Sequence, residues 1–201
     1  GKLVVFFLRT VSYTAEREFK ALKLPDAKIV SYKKYAGLNL SFGRYVSNQS
    51  FFKQKVIDDF CSALKAYFDE NPADVIVLEY IRLAYLLDVC PEGADTILDM
   101  HDVMSERTIS LRRAGLKASI EIDAATERWI LNRFDCVLTI SRHDRRHLKD
   151  RMNLGNSLYA PYSVPAVHSH DCSGSGRRLV FVGGNTAPNV EGLRWFMEQV
   201  W

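Results

Sequence analysis

His101 and Asp102 are the residues whose types and placement best suit chemistry. They close the run Thr96-Ile97-Leu98-Asp99-Met100-His101-Asp102, in which residues 96–100 read as a short buried strand. Residues 105–115 that follow read as a helix. In open α/β sheets, ligands bind outside the carboxyl ends of the strands. An imidazole and a carboxylate at that lip can meet a substrate, whereas in mid-strand they would have to be paired inside the core. Asp102 has a second reading as the cap of the helix that follows. Asp99 lies one strand period before His101 and adds a carboxylate to the same edge. Two ligands are too few to hold a metal ion, so no metal site is expected. A hydrolase built on His101 and Asp102 is disfavoured, because no Gly-x-Ser-x-Gly elbow accompanies them.

The elements that must position these residues alternate along the chain. Continuous apolar runs at residues 3–8, 74–78 and 136–140 read as strands covered on both faces, and residues 27–32 and 157–160 as further strands. Between them lie helical segments: 14–22, 50–70 (with Phe52, Phe60 and Tyr67 on its core face), 81–88, 117–134 and 141–148. Ser141 and Asp144 have capping-box spacing. Strands of Val, Ile and Leu joined by helical crossovers imply an α/β fold with a doubly wound, parallel, Rossmann-like sheet. Residues 1–160 form this domain. Residues 161–177 read as a linker, with His168 and His170 as ordinary linker residues. Residues 178–201 read as a strand, a tight loop and a helix, the first βα unit of a second Rossmann-like domain.

The totals narrow the class. The chain has 201 residues, 47% of them hydrophobic, enough for one sizeable core and part of another. Its 27 Lys and Arg against 24 Asp and Glu leave a net charge of +3, which gives no reason to invoke nucleic acid. The cysteines Cys61, Cys90, Cys136 and Cys172 form no CxxC pair, so reduced thiols and a cytoplasmic setting are expected. No apolar run approaches the roughly 20 residues of a membrane span. The exposed loop at residues 33–49, with Lys33, Lys34, Tyr35, Arg44 and Tyr45, and the basic run at residues 142–147 read as solvated surface. Peripheral membrane contact remains compatible with them.

Several residues in order carry a resemblance: Leu98-Asp99-Met100-His101-Asp102 at a strand end, a helix containing Glu127, and the strand from Asp135 to Ser141. After the linker come Leu179-Val180-Phe181-Val182-Gly183, then Pro188-Asn189 with Trp195 downstream. This pattern resembles the family-four nucleotide-sugar glycosyltransferases of GT-B fold, over residues 73–201. The resemblance implies an acceptor-side N-terminal domain followed by the start of a donor-binding domain. It implies sugar transfer from a nucleotide diphosphate donor to a glycan, lipid-linked or other hydroxyl acceptor, with retention of configuration, in bacterial surface polysaccharide or glycan synthesis. No cofactor beyond the nucleotide sugar is implied. His101 and Asp102 become catalytic residues, with His101 meeting the donor phosphates. Gly183, Gly184 and Arg9 become phosphate-binding, and Ser12, Tyr13 and Ser105 lie on the acceptor side. Glu127 matches a recurring helix glutamate, although its own sequence setting suggests an exposed salt-bridge partner.

The chain departs from the family in two places. The turn Arg9-Thr10-Val11-Ser12-Tyr13 has no glycine, and residues 184–190 lack the Arg and Lys that hold the diphosphate in many relatives. The paired-glutamate donor motif would fall beyond Trp201, so residues 1–201 alone are expected to be inactive in transfer. These departures favour one alternative, a non-catalytic Rossmann-like binding module derived from such an enzyme.

Overall fold

The computed structural model describes residues 3–7, 27–31, 54–118, 121–163 and 179–201. The expected helix at 14–22, the loop at 33–49, most of the linker, and Arg9, Ser12, Tyr13 and Cys172 lie outside the described residues.

Two parallel strands, β1 (Leu3–Phe7) and β2 (Ala27–Ser31), pair with Val5 opposite Ile29. The helix α1 (Gln54–Glu70) leads to β3 (Val75–Glu79), a 3-10 helix (Ile81–Val89) and β4 (Asp95–Asp99). Then come α2 (Met104–Arg113), α3 (Ala124–Leu131), β5 (Cys136–Thr139), α4 (Arg142–Met152) and β6 (Ser157–Tyr159). Strands β3 to β6 form an all-parallel sheet in chain order. The fold is therefore α/β and Rossmann-like in its sheet. Winding runs one way through these four strands, so right-handed crossovers place their connections on a single face.

Burial follows that rule. Ile76, Leu78, Leu98 and Val137 point into a core shared with Phe60, Leu64, Ile81, Ile130, Leu131 and Leu148. Val75 and Val77, on the other face of β3, are more than half exposed. The start of β5 is tied to β4 by side-chain bonds. The Asp135 carboxylate accepts from the Thr96 backbone N–H and hydroxyl, both at 2.7 Å. Those bonds hold its pKa below the ordinary value.

Local sequence sets the helix ends. Ser141 caps α4: its hydroxyl oxygen accepts from the Asp144 N–H at 3.0 Å, and the hydroxyl donates to the Asp144 carboxylate at 2.7 Å. The expected helix at 117–134 is shorter than its apolar pattern, because Asp123 caps α3 by accepting from the Thr126 N–H at 2.8 Å. Asn153 leaves α4 in the left-handed conformation (φ 50°), which asparagine tolerates better than most residues.

Residues 179–182 are not a strand. Their apolar pattern fits one, but among the described residues nothing pairs with their backbone, and Val180 and Val182 are almost fully exposed. The helix α5 (Ala187–Gln199) forms as expected, with Pro188 in its first turn. No residue of 179–201 is buried. Among the described residues, no helix is long and apolar enough to cross a membrane.

Candidate functional site

The parallel register puts Glu79 directly opposite Asp99, so the last residues of β3 and β4 both carry carboxylates at the same sheet edge. Both strands then leave the sheet through a residue of positive φ: Tyr80 (68°) after β3 and His101 (60°) two residues past β4. At His101 the Asp102 N–H donates to the Met100 carbonyl at 2.7 Å, closing a γ-turn with the imidazole at its apex. A γ-turn of positive φ is rare and strained, and non-glycine residues held so cluster at functional sites. Tyr80 is anchored by its N–H donating to the Asp99 carbonyl at 3.0 Å.

These turns bring four side chains onto the imidazole. Tyr80 stacks on it, with ring centroids 4.4 Å apart and planes 12° from parallel, and the Arg82 guanidinium lies 4.6 Å above the Tyr80 ring. Nε2 of His101 sits 2.5 Å from a Glu79 carboxylate oxygen and 3.8 Å from Asp99. Nδ1 is 3.3 Å from the Tyr162 hydroxyl. The imidazole side chain is 17% exposed, at the rim rather than in the interior. Partial desolvation, then the Asp99 and Glu79 charges, raise the Tyr162 pKa, so its phenol stays protonated at neutral pH.

The backbone after His101 is held from beneath. Glu127, on α3, is fully buried. Its carboxylate accepts from the Met104 N–H at 2.7 Å and the Ser105 N–H at 2.8 Å, two of the orphan donors at the start of α2. The expectation of an exposed salt-bridge partner fails here. The local pattern around Glu127 is that of a helix surface, but its helix packs on the start of α2, where only an acceptor satisfies the two N–H groups.

Asp102 neither caps α2 nor touches the imidazole. Its carboxylate pairs with Arg107 at 2.8 Å, and Val103 occupies the cap position without a side-chain bond. The carboxylate that holds the imidazole is Glu79, which sequence spacing did not single out. Ser105 is 2% exposed and lies in the support of the turn. Gly183 and Gly184 precede α5 as expected. The Gly184 carbonyl accepts from the Thr186 N–H at 2.8 Å and the Asn189 side chain at 2.9 Å. A Cβ on Gly183 would meet the Phe181 ring at 2.9 Å, while one on Gly184 would find nothing nearer than 3.9 Å. Among the described residues, no hydrogen bond, ion pair or ring contact joins either glycine to His101. Cys61, Cys90 and Cys136 are free thiols, and burial pushes Cys90 up to about 11, so it is inert as a nucleophile.

The turn at His101 makes a direct prediction. His101→Gly is expected to be more stable than His101→Ala by about 1 kcal/mol, because only glycine takes positive φ without a Cβ penalty. The difference in urea midpoint between the two variants measures it.

No protein-family model, curated protein or solved structure matches this chain.

Proposed function

We propose that this chain carries the acceptor-side domain of a nucleotide-sugar-dependent glycosyltransferase, with His101 facing the donor diphosphate. One observation carries the reading: an imidazole presented by a strained turn beyond the carboxyl end of β4, with both nitrogens already oriented. Departure of a nucleoside diphosphate builds negative charge, and a preorganised N–H donor at that point stabilises it. Glu79 fixes the ring through Nε2. Tyr162, more weakly placed at 3.3 Å and 71% exposed, covers Nδ1 and is the group a phosphate oxygen would displace. With Nε2 held against Glu79, Nδ1 is the nitrogen that turns to the leaving phosphate. Gly184 before α5 supplies a turn that a phosphate can approach closely, while the Phe181 ring fills the space beside Gly183. The acceptor hydroxyl would lose its proton to the departing phosphate, with retention at the anomeric carbon.

The test is titration of the intact enzyme with UDP and GDP in the presence of a chelator, followed by the ring resonances of His101. Saturable shifts of those resonances, lost in Tyr80→Ala, where the stacking partner is gone, are expected. Resonances unmoved by either nucleotide would overturn the reading and leave the non-catalytic module.

A further inference from the structure

Outside the contacts used for phosphate, the same edge holds a ligand set of its own. We propose that Glu79, Asp99 and His101 bind one divalent cation through a carboxylate oxygen of each acid and Nε2 of the imidazole. The three ligand atoms all lie within 4.8 Å of one another. A first-row cation holds its ligands at about 2.0–2.2 Å, so a small rotation of Glu79, 59% exposed, brings the set into range.

Three features favour a cation over a simple histidine–carboxylate pair. Two carboxylates, not one, converge on Nε2, at 2.5 and 3.8 Å. Among the described residues, no Lys or Arg lies within ion-pairing distance of Glu79 or Asp99, while the neighbouring Asp102 is paired with Arg107. The far nitrogen Nδ1 faces the Tyr162 oxygen, an outer contact of the kind that orients a ligating imidazole. Two ligands read from the sequence were too few; Glu79 supplies the third, through the register of β3 on β4. The Tyr80 ring closes one side of the imidazole, leaving the remaining coordination positions to water. One imidazole with two carboxylates suits Mn2+ or Zn2+ better than Mg2+ or Ca2+.

A cation there engages Nε2 and leaves Nδ1 facing Tyr162. The inference therefore stands apart from the sugar-transfer reading, whose nucleotide titration is run with chelator present. The experiment is calorimetric titration of the tag-free chain with Mn2+ alone and Zn2+ alone, with Mn2+ also followed by its paramagnetic resonance signal. One saturable site per chain is expected, weakened at least about 10-fold in Glu79→Gln and in Asp99→Asn. Both variants should keep the wild-type far-ultraviolet dichroism, and His168→Ala with His170→Ala should keep the affinity. No saturable binding, or wild-type affinity in Glu79→Gln or in Asp99→Asn, would overturn the site.

Discussion

Glu127→Ala is expected to lower the stability of the fold by about 2–4 kcal/mol, because two buried N–H groups lose their only acceptor at once. Those groups belong to Met104 and Ser105, and the carboxylate that accepts from them is fully buried. A marginally stable domain has roughly 5–15 kcal/mol in total, so the loss is a large share of it. The readout is a fall in urea midpoint at unchanged slope. Glu127→Gln is expected to fall between wild type and alanine. Its carbonyl still accepts one N–H, but its amide turns a donor toward the other.

The same residue predicts a pH dependence whose sign is opposite to that of an ordinary surface carboxylate. Desolvation raises the pKa of Glu127 above 4.5, more than the bonds from Ser105 and Met104 lower it. The folded protein therefore holds this proton where the unfolded chain has released it. Stability linked to Glu127 is fully present below 4.5 and is lost as pH rises through the raised value. Asp123 and Asp135, whose hydrogen bonds lower their pKa, run the other way: their contribution is present above 3.8 and lost as pH falls. The gap between wild type and Glu127→Ala should thus be widest in acid and narrow toward neutral pH, since the two aspartates cancel in the difference.

What the sequence made legible, and what it did not, divides along one physical line. Apolar runs near residues 74–78, 96–100 and 136–140 became β3, β4 and β5, because a strand buried between layers needs continuous Val, Ile and Leu. His101 stood at the lip of β4 because a strand end is a local feature. Ser141 and Asp144 were readable for the same reason. Glu79 was not: it closes its own strand as an ordinary acid, and only the register with Asp99, twenty residues away, places it on Nε2. Tyr80 and Tyr162 reach the ring from two separate elements, again through tertiary placement. Glu127 has the spacing of a surface residue and the surroundings of a core one. The run at 179–182 errs in the other direction, since a strand pattern is necessary for a strand but its backbone needs a partner to become one.

His101→Phe is expected to lower the rate of the proposed sugar transfer by about 10²-fold with little change in KM, the loss typical of removing one donor aimed at developing charge. Phenylalanine keeps a flat ring against Tyr80 but has no N–H to donate, so the substitution tests the donor rather than the packing. The loss should appear in kcat because the diphosphate gains most of its charge after the ground state. Glu79→Gln in the same assay separates two causes. If Glu79 acts by holding the ring, its amide still accepts from Nε2–H through the side-chain oxygen, and most of the rate survives. A loss in Glu79→Gln equal to that in His101→Phe would mean that the carboxylate charge itself is required at this edge. The measurement is initial-rate kinetics of the intact enzyme with each variant, at saturating acceptor and varied nucleotide sugar. Wild-type kcat in His101→Phe would remove the imidazole from the reaction and leave its strained turn without a catalytic purpose.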